Sequence, residues 1–255
     1  MTQGELSIAI YGDNRHMPNI YASLMNLVKI GIVNRTGEYP ALYSLSGREY
    51  LEITKPKKEK TINLLMTNES IETVDAEVEA TDNYGRENNL ITECFKKYPN
   101  NTDIATVAMK IGLIDITNST NISRYKRFIS VVELAEIISL IPNIDERIKN
   151  GDPEVVTIIA KANGKINLFS FASKYCCYHN KNLYGRDDYS ILDTVLKDSL
   201  PKMFTDIKKS NIQHWVDTYN YKAYNDYITR KLDEYGITIS FRKRKFDHFV
   251  WFKNR

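Results

Sequence analysis

Apolar residues recur at helical spacing early in the chain. Ile20, Leu24, Leu27, Val28 and Ile30 form one stripe, the pattern of a helix with a single buried face. Pro18 sits near its first position and Gly31 ends it. Ahead of it, Glu5–Tyr11 reads as a short apolar helix, closed by the turn signal Gly12-Asp13-Asn14. Behind it, Ile32–Asn34 and Ala41–Leu45 read as two short strands joined through Arg35-Thr36-Gly37-Glu38-Tyr39-Pro40. This predicts a compact α+β module over residues 1–51.

The pattern then changes. Lys55-Pro56-Lys57-Lys58-Glu59-Lys60 is basic, and an acidic run follows with Glu69, Glu72, Asp75, Glu77, Glu79 and Asp82. Blocks of one sign are usually solvated, so residues 52–87 read as a charged linker. Val74, Ala76, Val78 and Ala80 alternate with the acids, which also allows a short edge strand. From Asn88 to the last residue the periodicity is helical. Leu90–Tyr98, Asp103–Ile114, Val131–Ile141 behind the cap Ser130, and a helix opened by Gly151-Asp152-Pro153 are the expected elements. Further helices are expected at about Ser190–Leu200, Ile212–Tyr235 and Arg242–Phe252. The fold class is therefore mainly α, with a small α+β domain in front of a multi-helix domain over 88–255.

Composition changes this picture little. A chain of 255 residues, 42% hydrophobic and 26% charged, can bury a sizeable core. The net charge of +3 neither demands nor excludes nucleic acid, so the placement of charge matters more than its sum. Three cysteines, two of them adjacent, are no disulfide framework and fit a reducing cytosol. The start Met1–Glu5 lacks a basic, apolar leader, and no apolar run has the length of a membrane span. A P-loop, a Rossmann glycine pattern and an HExxH motif are all missing. Neither a cofactor nor a metal is expected. Cys176 and His179 have the spacing that begins a zinc site, but Cys94, His16, His214 and His248 are scattered, and a structural site needs four ligands.

The stretch Phe169–Asp193 carries the candidate chemistry. Its start is apolar and aromatic, as in a buried helix, yet it contains Lys174. A polar loop is expected from Asn180 to Asp188, and Asp193 then opens the next helix. Burying an ammonium is costly unless it is paired or used. A helix, a loop and a second helix would let Lys174 meet Asp193. The residues alone leave two readings open, a structural ion pair and an amine nucleophile activated by its surroundings.

Two resemblances sharpen this. The run IYASLMNLVKIGIVNRTGEYPALYSLS, residues 20–46, resembles the winged helix-turn-helix family. The resemblance implies a recognition helix at about Asn19–Lys29 and a wing at Arg35–Tyr39. It implies double-stranded DNA as partner, with Asn19, Ser23, Asn26, Lys29 and Arg35 as contacts. Winged helices also bind proteins, so fold alone does not decide.

The second domain resembles the helix-hairpin-helix DNA glycosylases of the 8-oxoguanine glycosylase type. The residues behind this are Phe169-Ser170-Phe171-Ala172-Ser173-Lys174, Tyr189-Ser190-Ile191-Leu192-Asp193, and the tail Arg244-Lys245-Phe246-Asp247-His248-Phe249-Val250-Trp251. Lys174 and Asp193 stand nineteen positions apart, as in that family. The resemblance implies that Lys174 attacks the sugar C1′ and forms a Schiff base. It implies that Asp193 helps activate Lys174 and stabilises the cationic sugar. Phe169, Phe171, Tyr175, Tyr178, Phe249 and Trp251 would line the pocket for a flipped base, and Arg242, Lys243, Arg244 and Lys245 would grip phosphate. The glycines that usually precede the lysine helix are missing between Leu168 and Ser173, with Gly164 the nearest. That departure favours a rival, a non-catalytic DNA-binding regulator on a degenerate glycosylase-like scaffold. A third reading has both domains binding protein partners. A DNA partner would put the protein in the cytoplasm, at the nucleoid.

Overall fold

The computed structural model describes residues 17–29, 33–37, 42–45 and 65–253. The chain divides into two compact units, Met1–Ile62 and Asn63–Arg255. Among the described residues it is mainly helical, and no helix is long and apolar enough to cross a membrane.

In the first unit, α1 (Met17–Lys29) precedes the strands β1 (Val33–Thr36) and β2 (Leu42–Leu45). The strands pair antiparallel, Val33 opposite Leu45 and Arg35 opposite Tyr43. Leu24 of α1 and Val33 of β1 are buried, as the apolar stripe requires. The expected helix at Glu5–Tyr11 and the basic segment Lys55–Lys60 lie outside the described residues, as does the wing tip beyond Gly37.

The second unit begins earlier than its hydrophobic pattern suggests. The acidic run, expected as linker or edge strand, is the helix α2 (Asn68–Glu79). Thr67 and Ser70 cap it reciprocally. Ile71, Val74 and Val78 fall on one face and are buried, while most of the acids face outward. The two-residue alternation of valine and alanine hid a three-and-four spacing that was also present. Next come α3 (Tyr84–Lys97) and α4 (Ile104–Asn118), the latter capped by Asp103. Gly85 must be glycine, because a Cβ there would lie 1.9 Å from the carbonyl oxygen of Glu79.

The remaining helices are α5 (Val131–Ser139), α6 (Ile144–Lys149), α7 (Pro153–Lys161), α8 (Phe169–Tyr184), α9 (Thr194–Met203), α10 (Lys209–Asp217), α11 (Tyr221–Glu234) and α12 (Arg242–Lys253). Asp152 caps α7 with Pro153 at its first position, as expected. The single helix expected over Ile212–Tyr235 is two. Tyr219 takes a left-handed conformation (φ 55°), and the Asn220 side chain caps the restart. The polar loop expected from Asn180 is helical to Tyr184, where Gly185 closes it with φ 63°.

Helix α8 is the axis of this unit. It packs against α3, α4, α6 and α7, and Phe169 and every residue from Phe171 to Asn180 are buried. A helix enclosed on all sides cannot show a one-sided apolar stripe, so its sequence carries apolar and aromatic groups all round. Helix α12 returns to α2, and also packs on α9 and α11.

Candidate functional site

Three anchors bring the two singled-out residues together. On α8, the Ser173 hydroxyl accepts from the Leu192 N–H at 3.1 Å. From α11, the Tyr221 hydroxyl bonds both the N–H and the carbonyl of Ser190 at 2.9 Å, and Tyr224 donates to the Ile191 carbonyl at 2.5 Å. The extended segment ahead of α9 is thus laid along α8, and its end is fixed where Lys174 emerges. Asp193 caps α9 with one oxygen, accepting from the Leu196 N–H at 3.1 Å. Its other oxygen stands 3.5 Å from Lys174 Nζ. The lysine side chain is 10% exposed and the aspartate 22%, so the pair meets solvent at its edge.

The end of α4 completes the lysine's surroundings. Lys174 Nζ donates to the Asn118 carbonyl at 3.4 Å. The Asn118 side chain accepts from the Tyr178 hydroxyl at 2.5 Å. Lys174 and Tyr178 are four positions apart and share a face of α8, so a single asparagine holds both.

Behind Tyr178 lies a buried group of charges on α12. Arg244, 2% exposed, pairs with Asp247 one turn along the same helix. It also donates to the Tyr84 hydroxyl at 2.6 Å and reaches the Tyr178 hydroxyl at 3.4 Å. Burial pushes the Asp247 carboxyl up to about 6; Arg244 pulls it down, and the charge of Asp193 pushes it further up. His248 faces the other way, with Nδ1 2.6 Å from Asp75 and Nε2 3.2 Å from the Tyr84 hydroxyl. Burial, and then the charge of Arg244, holds its imidazole down at about 3, so it is neutral.

Asp75, Glu79 and His248 bring their ligand atoms within 4.8 Å of one another, the spacing of a metal site. Each already has a partner. Asp75 meets His248, and Glu79 accepts from Asn88 at 2.6 Å. The charge of Lys181 acts on both carboxylates.

The aromatic residues expected to line a base pocket are mostly core. Phe169, Phe171, Tyr175, Tyr178 and Phe249 are each 3% exposed or less, because α8 and α12 bury those faces against neighbouring helices. Trp251 is half-buried and stacks on Tyr84 with ring centres 5.2 Å apart.

The basic run at the head of α12 is not a free grip for phosphate. Cations at a helix N-terminus are disfavoured by its dipole, and here each is matched. Arg242 meets Asp233 at 2.5 Å and Lys245 meets Glu72 at 3.4 Å. Lys243, buried, donates to the Asp188 carbonyl at 2.8 Å. Arg244 is enclosed as described. Arg244 and Lys243, expected as DNA contacts, are thus buried and held by partners inside the fold.

In the first unit, Asn26, Lys29 and Arg35 are exposed. Asn19 and Ser23 lie on α1, with side chains outside what is described. Sequence reasoning missed Asn118, Tyr84 and Asp247. Only Asp247 left a signal, its i, i+3 spacing from Arg244 inside the quoted tail.

Open clefts occur elsewhere among the described residues. One of about 690 Å³ is bordered by Arg186, Asp187, Asp188, Phe241 and Arg242. Another, about 460 Å³, is bordered by Glu154, Lys161, His214, Tyr219 and Lys222. Neither is lined by Lys174 or Asp193.

No curated protein and no solved structure matches the chain. Over residues 59–183 it is similar to a family model described as HI_0787_N, N-terminal domain, a span that takes in Lys174 and stops before Asp193 and Asp247.

Proposed function

We propose that the protein binds double-stranded DNA and acts on it as a glycosylase or abasic-site lyase, with Lys174 as nucleophile and Asp193 as its carboxylate partner. One observation carries the reading, the 3.5 Å approach of an amine and a carboxylate from two successive helices at the edge of the core. The neutral amine attacks C1′ of the sugar. The bond from C1′ to the base breaks, the base leaves with the electron pair and takes one of the amine protons, and ring opening, with the other proton passing to the ring oxygen, leaves an imine on Nζ. Positive charge develops on the sugar as the base departs, and a carboxylate beside it lowers that barrier. A further support is the resemblance of residues 20–46 to a winged helix. There α1 precedes a two-stranded ribbon, with Asn26, Lys29 and Arg35 turned outward.

A second reading has its own observation. Asp193 also caps α9, and Lys174 also holds the Asn118 carbonyl. Those are the duties of a structural pair, and they fit a regulator that holds DNA without cutting it.

Borohydride trapping on a duplex with one abasic site separates the two. The enzyme gives a covalent adduct that Lys174→Ala abolishes. A chain that binds the duplex in a salt-dependent manner and yields no adduct is the regulator.

A further inference from the structure

Helices α2 and α12 pack on each other, and one place on that seam gathers the donors of a metal centre. Asp75 and Glu79 stand four positions apart on α2 and share a face. His248 reaches them from α12 and is buried. The three ligand atoms lie within 4.8 Å of one another. We propose that Asp75, Glu79 and His248 bind one divalent transition-metal ion, Zn²⁺ before others, which ties the first helix of the second unit to its last. The inference does not depend on the reading of Lys174.

The donor set is the first argument. One imidazole nitrogen and two carboxylates are ordinary ligands of Zn²⁺, with water taking a fourth position. Ca²⁺ asks for more oxygen donors, and Mg²⁺ gives up its waters reluctantly, so both fit less well. Donors about 2.0 to 2.2 Å from a shared Zn²⁺ stand at most about 4.4 Å apart. The three groups therefore need to close only slightly around the ion.

Charge is the second. Two carboxylates at i, i+4 on one helix repel each other, and both of these are half-buried. The lysine of α12 that meets α2, Lys245, pairs with Glu72 instead. Among the described residues no lysine or arginine forms an ion pair with Asp75 or Glu79. Lys181 acts on them only through its field. A bound cation would end the repulsion.

Bracing is the third, and α3 supplies it. Asn88 donates to one oxygen of Glu79 at 2.6 Å, which leaves the other oxygen for an ion. Tyr84, four positions before Asn88, holds His248 Nε2 at 3.2 Å, so that Nδ1 faces the carboxylates. A metal-bound histidine is regularly held in this way through its second nitrogen. Nδ1 stands 2.6 Å from Asp75, a hydrogen bond of the ion-free form. Binding calls for the tautomer protonated on Nε2, which donates to the Tyr84 oxygen. The ion then takes the place of the proton between Nδ1 and Asp75.

The test uses the full-length chain, stripped with EDTA and dialysed. Calorimetric titration with Zn²⁺ is expected to show one site per chain. Zn²⁺ at about a hundred times its Kd is expected to raise Tm by about 5 °C or more, and Mg²⁺ at the same concentration to leave it unmoved. Glu79→Gln can still accept from Asn88 but lacks the charged ligand, and is expected to bind Zn²⁺ at least about tenfold more weakly. His248→Gln is expected to lose the site. Should His248→Gln not fold, Glu79→Gln decides alone. Co²⁺ reports the ligand type, and visible bands are expected without the near-ultraviolet band of a thiolate ligand. Four results overturn the proposal: no Zn²⁺-dependent rise in the wild type, an equal rise with Mg²⁺, full Zn²⁺ affinity in Glu79→Gln, or a thiolate band with Co²⁺.

Discussion

His248 shows how far a single side chain can be taken from its solution behaviour. Burial holds it neutral, with its titration pushed down to about 3. His179, also buried, is lowered well below its usual range by burial and then by the charge of Lys110. In the unfolded chain both take a proton near pH 6.5. Their stabilisation is complete above that value and is lost as pH falls below it, at about 1.4 kcal/mol per pH unit for each, a window that for His248 extends to about 3. Asp247 works in the opposite sense. Its raised value means that the fold holds a proton the unfolded chain releases. Its contribution is complete below the ordinary 3.8 and is lost as pH rises through about 6. Between pH 6 and 4 it offsets one of the two histidines. Urea unfolding in steps across that range is expected to show His248→Gln losing less stability per pH unit than wild type, by about 1.4 kcal/mol. Equal slopes would mean that His248 is charged in the fold. Of these residues the sequence marked Asp247 only as part of a tail, and His248 as part of that tail and as one of the scattered metal-ligand candidates. Their burial was hidden because Tyr84 and Asp75, which enclose them, stand some 160 to 170 positions away.

Asp193 has two tasks at the scale of an element. Its cap holds the first turn of α9, and its second oxygen faces Lys174. These duties separate by substitution. Asp193→Ala removes the cap and is expected to cost about 1 to 2 kcal/mol on thermal unfolding. Asp193→Asn caps equally well and is expected to cost less than Asp193→Ala, while trapping falls in both. If Asn retains trapping, the carboxylate charge is not used. Caps of this kind were the most legible part of the fold. Asp103, Ser130 and Asp152 each open the helix that the sequence assigns to them, because capping is a local bond. What was not legible came from tertiary placement. The acids of α2 looked like linker until Ile71, Val74 and Val78 were seen to face α12. The break at Tyr219 carries no glycine or proline to announce it. The meeting of Lys174 with Asp193 was readable because helix, connection and cap are all local. The Asn118 carbonyl, supplied by a helix end more than fifty positions away, was not.

Across the second unit, the first helix and the last are laid side by side. Asp75 meets His248, Glu72 meets Lys245, and the Asn68 side chain accepts from the Thr238 N–H. Helices α2 and α12 therefore run parallel, and each covers a large part of the other. Deleting residues 241–255 is expected to expose Ile71, Val74 and Val78. The measurable result is dye binding to apolar surface with loss of the cooperative melt. A shortened chain that melts like the full one would show that α12 is merely appended.

This pairing has a consequence for how the molecule comes into being. A chain leaving the ribosome makes α2 early and can lay α3 on it, but the more extensive packing with α12 waits until that helix emerges. Contacts that span so much sequence form late and leave sticky intermediates waiting. Lys174 and Asp193 are both synthesised by then and can already touch, whereas Asp247 arrives with the final helix.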